Sequence, residues 1–513
     1  MSHYTATAGY VPGWAAQDLQ WHTLRFAAHG HSVDVAVPQL TPAQLLEVAQ
    51  RVQTASRDTL KTMRVSHIIA VVDSVIARLL DANDPYRQEA QRLLPIITGF
   101  DAEMVRLGLT QYLKTFRAPQ LQRFVAEDFA NPKLLDEFQP RPKGGMALAL
   151  GPDLLAHVWA GNVPGLPLWS LICGLLVKAG NIGKVASAEP LMASLFARLL
   201  VEVEPQLADS LAVLWWQGGD VVSEQTLFAQ VDVVLAYGGN ATLEQIRTRV
   251  PISTRYLPHG HKLSVGWVAA SALQVRKAQA VARAAALDVV RYEQQGCYSP
   301  QVFYVARGGR VSPREFAQYL NAELAALAHK HPRRALALDE AQSVAAWRQA
   351  QELVALATPQ AAGSEAGTQH GGVELLGNAA APWCVAYCEG LSSATLPSAA
   401  SPAVALPALS PSALNRTVTV VAVDDLQDTL PLLQAQRAYL QTVGVAAAPQ
   451  ELLALAQGLG AAGVTRICAI GNMTAPEAGW HHDGRFNLLD LVRMVELEQS
   501  AEDAAETFAP YVD

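Results

Sequence analysis

The sequence predicts an α/β protein with two doubly wound domains and a helical N-terminal region. Three observations predict it. From residue 145, short apolar runs (MALAL, LLAHVWAG, IGKVAS, LAVLWW, VDVVLAYGG, KLSVGWV) alternate with helical stretches (LPLWSLICGLLVKAG, EPLMASLFARLLVEVE, SEQTLFAQ, ATLEQIRTRV). Right-handed crossovers turn that order into a parallel sheet with helices on both faces. A second alternation starts near Ala270, and before both of them the first 140 residues carry apolar positions mostly at helical spacing.

In chain order, residues 1–140 open with an alternating segment, TLRFAAHGHSVDVAVP, and turn helical at Thr41-Pro42-Ala43-Gln44. That tetrapeptide has the form of a capping box with Pro at the first helical position. Further helices are expected around 60–83, 86–98 and 101–115. Residues 141–268 form the first α/β domain, and its ligand is expected at the carboxyl ends of the strands. Residues 269–475 form the second α/β domain. There RKAQAVARAAALDVVRYEQQG reads as a helix, SPQVFYV as a buried strand, and Ser312-Pro313-Arg314-Glu315 as a second capping box. Two stretches rich in Ala, Ser, Pro and Gly, 357–373 and 390–413, read as surface excursions within this domain. TVTVVAV, YLQTVGVA and VTRICAIG then read as strands separated by helices. The segment 476–513 is expected to return to the core or to an oligomer interface, with NLLDLVRMVELE as a final helix.

Composition narrows the function classes. A chain of 513 residues with 38 Lys and Arg against 46 Asp and Glu has a net charge of −8, which gives no pull toward nucleic acid or anionic membrane. Five scattered Cys are no disulfide framework and point to a reducing cytoplasm. The chain shows no long uncharged apolar run and no basic leader followed by an apolar stretch, so it reads as neither exported nor membrane-spanning. Hydrolase, P-loop and nucleic-acid readings lack support, for want of a GxSxG elbow, a GxxxxGK[ST] loop or a basic-aromatic stripe.

Few residues carry chemistry on their own. Gly458-Leu459-Gly460-Ala461-Ala462-Gly463 matches GxGxxG, but a helix precedes it and a strand follows, the reverse of a phosphate-binding loop. A helix C-cap explains these glycines. Cys297, in Gln294-Gln295-Gly296-Cys297-Tyr298-Ser299-Pro300, lies in a polar turn between a long helix and a strand, whereas Cys173 and Cys468 lie within apolar runs. A thiolate needs access and polar neighbours, so nucleophile and structural thiol both remain open for Cys297. Cys384 and Cys388 have no matching pair and read as structural. Asn162, in Gly161-Asn162-Val163-Pro164-Gly165, follows a strand and precedes a helix. Its amide is either a turn device or a donor to an oxyanion. The pairs His259/His261 and His481/His482 come from distant segments without the carboxylate spacing of a catalytic zinc site, so no metal is expected.

Taken in order, HVWAGNVPGLPLWSLICGLLVKAGNIGKVAS, YLPHGHKLSVGWV, YEQQGCYSPQVFYV and TRICAIGNM…WHHDGRFNLLDLVR resemble the bacterial long-chain acyl-CoA reductase family over about residues 115–495. That family includes the reductase that makes fatty aldehyde for bacterial luciferase, and it lies within the aldehyde dehydrogenase superfamily. The resemblance implies an aldehyde-dehydrogenase-like fold, with residues 141–268 binding a nicotinamide dinucleotide and residues 269–475 carrying the nucleophile. It also implies Cys297 as nucleophile and Asn162, with the backbone N–H of Cys297, as the oxyanion donors. Lys184 resembles the lysine that contacts the adenosine ribose, and Gly238 and Gly239 fall beside the pyrophosphate.

Two departures from the superfamily bear on mechanism. Ser187 stands where enzymes that favour NAD often carry a Glu, so NADPH is the expected cofactor. Pro258-His259-Gly260-His261-Lys262 carries no carboxylate where hydrolytic members place a water-activating Glu. An acyl-enzyme would then persist for reduction or for transfer to a thiol rather than hydrolyse. His259 or His261 is the expected base, since imidazole titrates near neutrality. The implied activity is reduction of a fatty acyl thioester, acyl-CoA or an acyl carrier protein, to aldehyde through an S-acyl-cysteine. A homo-oligomer and an acyl-protein synthetase partner are implied by the resemblance alone. A CoA-acylating dehydrogenase running oxidatively would use the same residues, and a non-redox acyl carrier would keep only the cysteine.

Overall fold

A computed structural model describes residues 2–357, 372–391 and 411–510 of the chain. The expected surface excursions at 357–373 and 390–413 fall almost wholly outside the described residues. The chain divides into two compact units, one of residues 1–260 with 477–513 and the other of residues 261–476.

In the first unit, local chemistry sets the helices. Thr41 caps helix Pro42–Asp58 with a reciprocal box to Gln44, and Asp84 and Asp101 cap Pro85–Thr98 and Ala102–Lys114 through their carboxylates. Gly99, at φ 73°, ends the former in the left-handed conformation that a C-terminal cap needs. The alternating opening becomes a three-stranded sheet in which Ser2–Thr7 and Gln20–Ala28 flank His31–Gln39. The expected crossovers build a five-stranded parallel sheet, in the order Arg255–His259, Val233–Tyr237, Leu154–Val158, Gly180–Lys184, Leu211–Leu214. Its three central strands are buried on both faces, and Val233–Tyr237 accordingly reads as a continuous apolar run rather than an alternating one. Chain direction across the sheet reverses at Leu154–Val158, so the switch point that binds ligands in such sheets lies beyond Val158.

Two expectations change here. MALAL does not join the parallel sheet; Met146–Leu150 pairs antiparallel with Arg493–Leu497 in a separate small sheet. NLLDLVRMVELE is accordingly not a helix, because the open edge of Met146–Leu150 takes residues 493–497 as a strand. A long-range backbone ladder here overrides the helical spacing of Leu488, Leu491 and Val495.

The second unit holds a seven-stranded sheet in the order Val373–Leu376, Cys384–Leu391, Thr417–Val423, Pro300–Ala306, Leu263–Val268, Leu440–Ala446, Arg466–Ala469, all parallel except the first. Ser312 and Glu315 form the capping box of helix Pro313–Lys330. Gly463, at φ 107°, terminates helix Pro449–Ala462, so the GxGxxG segment is a helix end. Among the described residues no helix is long and apolar enough to cross a membrane.

Candidate active site

Each unit carries part of the candidate chemistry. In the first, Asn162 sits exposed in the turn after Leu154–Val158, at the switch point. Packing defines that turn. Trp159 N–H donates to Lys184 O at 3.0 Å, and its ring lies where a Cβ on Gly183 would fall. A Cβ on Gly161 would meet Glu189 N at 2.9 Å and the Ala186 and Ala188 methyls at 3.0 Å, so the Asn162 turn lies directly on the turn after Lys184. Glu189 joins the two. Its buried carboxylate accepts from Leu191 N–H at 2.7 Å and Met192 N–H at 2.8 Å. Burial pushes its pKa up, while these amides and that of Gly165 pull it down.

Lys184 ends its strand almost fully buried, and desolvation lowers its pKa against the pull of Glu224. Ser187 accepts a hydrogen bond from Trp215 Nε1 at 3.0 Å, and the His22 ring stacks on Trp215 with centroids 4.5 Å apart and planes 4° apart. Trp215 lines a cavity of about 400 Å³ with Trp216, Gln217 and Asp220. Gly239 is the N-cap of helix Asn240–Arg247 and offers no side-chain cap, and a Cβ there would meet nothing within 4 Å. Open space at a helix N-terminus and an aromatic-lined cavity after another strand of the same sheet suit a dinucleotide diphosphate and its adenosine end. The residues present therefore fit the expected cofactor. Sequence reasoning missed Trp215 and His22, although a Trp-Trp pair closing a buried strand at its carboxyl end was a usable signal.

His259 ends strand Arg255–His259, and its Nδ1 lies 2.9 Å from Asp483 Oδ2, with both side chains largely buried. Its ring stacks on Tyr237 at 4.7 Å and on His482 at 4.5 Å, and Trp480 packs on His482 at 5.0 Å. Asp483 is held at φ 56°. An Asp on Nδ1 fixes the tautomer and leaves Nε2 as the basic nitrogen. Asp128 holds this C-terminal segment in place by accepting from the N–H groups of Leu488 at 2.5 Å and Leu489 at 3.0 Å. Ligand atoms of His259, His482 and Asp483 lie within 4.8 Å of one another. The two imidazole planes, however, are only 10° from parallel. An ion between stacked rings would lie out of both planes, away from the lone pairs, so the cluster suits proton handling better than metal binding.

In the second unit, Cys297 is half-buried, in no disulfide, and lies between helix Val275–Val290 and strand Pro300–Ala306. Ser264 Oγ donates to its carbonyl at 2.8 Å. A Cβ on Gly296 would strike the Tyr298 ring at 2.4 Å, so any side chain before the thiol would have to displace that ring. Burial pushes the thiols of Cys173 and Cys384 up and that of Cys388 to about 11. Cys468, expected to be buried, is half-buried on an edge strand. His261 is exposed at the start of this unit.

The fold is that of aldehyde dehydrogenases. The structure is similar to aldehyde dehydrogenase 21 of Physcomitrella patens, solved with succinate (TM-score 0.69, 13% identity, 96% of this chain and 98% of that one). It is also similar to an indole-3-acetaldehyde dehydrogenase of P. syringae, solved with NAD+ and IAA (TM-score 0.70, 13% identity, 96% of each chain). Among curated proteins, the long-chain acyl-protein thioester reductase of Aliivibrio fischeri is 25% identical over 415 residues, 80% of this chain and 77% of that protein. Long-chain acyl-protein thioester reductase 2 of Photobacterium leiognathi is 27% identical over 230 residues, 44% of this chain and 47% of that protein. Against several of these relatives the chain spans about half of their length. A family model described as acyl-CoA reductase (LuxC) matches residues 60–494. With most of its length inside that match, the chain belongs to the acyl-CoA reductase (LuxC) family.

Proposed function

We propose that the protein reduces a fatty acyl thioester to the aldehyde, with NADPH as reductant and an S-acyl-Cys297 intermediate. The observation that carries the reading is the contrast among thiols. Cys173, Cys384 and Cys388 are buried with raised pKa values and the half-buried Cys468 lies within an edge strand, while Cys297 is half-buried in a polar turn inside the family's matched span.

In this reading His259, oriented by Asp483, takes the thiol proton, and the Cys297 thiolate attacks the thioester carbon. The Asn162 amide and the Cys297 backbone N–H donate to the oxyanion, and the carrier leaves as a thiolate that takes up a proton. Lys184, Ser187 and the Gly238–Gly239 turn hold NADPH, which when bound supplies the hydride. Ser187, being neutral, tolerates a 2′-phosphate. Once reduced, the thiohemiacetal on Cys297 collapses, releasing aldehyde and restoring the thiolate. His261 has no assigned step. The nucleophile divides one hard substitution into two easier ones, and segment 258–262 brings no carboxylate to activate water.

The names of the curated relatives favour a protein-bound acyl thioester over acyl-CoA as carrier. One experiment tests both. Nicotinamide oxidation is followed with short- to long-chain acyl-CoAs and with acylated carrier protein, alongside release of free thiol. Oxidation coupled to thiol release, and lost in Cys297→Ala, is the expected result. Thiol release without oxidation by NADPH or NADH would replace the reductase with an acyltransferase. Equal rates with NADH would remove the NADPH assignment.

A further inference from the structure

Six non-glycine residues with left-handed backbone fall in two triplets from distant segments of the second unit. They are Tyr292, Glu293 and Gln294 (φ 50°, 54°, 62°), and Leu414, Asn415 and Arg416 (φ 56°, 52°, 70°). One L-residue in this region is uncommon, and three in succession persist only where the surroundings over-determine them. Here the triplets determine each other. Asn415 N–H donates to Glu293 O at 3.0 Å, and Arg416 N–H donates to Gln294 Oε1 at 2.8 Å. The Arg416 guanidinium donates to both oxygens of the Glu293 carboxylate, at 2.9 and 2.8 Å. Both side chains are sealed from water, at 0% and 1% exposure.

The latch continues into the sheet. The Gln294 carboxamide donates to Pro300 O at 2.8 Å and Thr417 O at 3.0 Å. It thereby ties the first triplet to the start of both Pro300–Ala306 and Thr417–Val423, which are neighbouring strands. A third Arg416 bond reaches His331 O at 2.8 Å. A buried ion pair adds little net stability over apolar packing of the same shape, yet breaking it leaves an uncompensated charge. Such a pair is therefore better suited to holding one geometry than to general stability. The geometry it holds is the chain entering Cys297, four residues after Glu293.

We propose that the Glu293–Arg416 pair is the positioning device for the nucleophile. It locks two left-handed turns together so that the Cys297 thiol and backbone N–H meet the acyl carbonyl in one orientation. Neither residue touches substrate. The proposal rests on Cys297 being the acylated residue, and the experiment separates the two claims.

The rate of acyl-enzyme formation per titrated thiol is measured in a single turnover for Glu293→Gln, Arg416→Lys and Cys297→Ala. NADPH affinity and the pH profile of thiol alkylation are read in parallel. The expected result is an acylation rate down by about 10²-fold in Glu293→Gln, as for a reacting group displaced by about an ångström. Arg416→Lys, which keeps the charge and loses the two-pronged contact, is expected to fall less, with NADPH affinity unchanged in both. If Glu293→Gln does not fold, Arg416→Lys alone carries the test. A variant with lowered melting temperature but a wild-type acylation rate and alkylation profile makes the pair purely structural and overturns the proposal. Normal acylation in Cys297→Ala would instead overturn the identity of the nucleophile.

Discussion

The two units present reactive groups by opposite means. In the first, Lys184 ends a fully buried parallel strand, Asn162 and Ser187 follow the carboxyl ends of such strands, and close glycine contacts set the turns. In the second, Cys297 follows three consecutive left-handed residues that a second such triplet and a sealed ion pair hold in place. Cofactor binding needs a shelf and a helix end, which regular crossovers provide without strain. A nucleophile needs its atoms fixed to a fraction of an ångström, and the backbone there departs from its relaxed wells. The comparison predicts that lesions at Cys297 spare cofactor binding and that lesions in the turns of the first unit spare the reactivity of the thiol.

The largest effect should come from Cys297→Ala. Acyl-enzyme is expected to vanish while NADPH still quenches the first unit's tryptophan fluorescence; a stable acyl adduct on this variant, detected by mass spectrometry, would break the division. Asn162→Ala comes next. Loss of one oxyanion donor typically costs about 10² to 10³ in kcat, so turnover should fall by that factor while the rate of thiol alkylation at Cys297 stays unchanged. An equal fall in alkylation would mean that the Asn162 turn also shapes the thiol.

Acid stability sharpens the contrast further. Burial pushes His157, in the first unit, down to about 4, and Asp288, in the second, up to about 6. Between about pH 6.5 and 4 the unfolded chain takes a proton that folded His157 refuses, so this group costs about 3 kcal/mol of stability as pH falls. Asp288 has the opposite sign. Folded Asp288 binds its proton first, so it costs a similar amount as pH rises through about 4 to 6. Chemical denaturation across this range should therefore give a flatter acid limb in His157→Gln and a steeper one in Asp288→Asn. Identical slopes in wild type and both variants would remove the assignment.

The smallest effect should come from Ser187→Glu. A carboxylate near the ribose should raise KM for NADPH roughly 10- to 100-fold relative to NADH, with acylation of Cys297 unaffected. Unchanged selectivity would mean that Ser187 does not face the 2′ position.

Much of this was legible from residues alone. The capping boxes at Thr41 and Ser312, the buried strands and the helix end at Gly463 depend on neighbours a few positions away, and propensity and periodicity report such neighbours directly. Asn162 drew notice because a strand–turn–helix sequence announces where a parallel sheet binds its ligands, whereas its role and Lys184 came from the family resemblance. The Asp483 partner of His259 is 224 residues away, and the Arg416 partner of Glu293 is 123 away. Nothing local marks either pairing, since the same residue types are ordinary in polar turns. Residues 493–497 make the point in the backbone. Their spacing favours a helix, yet the unpaired edge of Met146–Leu150 makes them a strand. The sequence by itself thus determined the fold class, the family and the turns that follow strands. Only the tertiary structure decided which distant groups meet, because those pairings are fixed by hydrogen bonds and burial that come into being once the chain has packed.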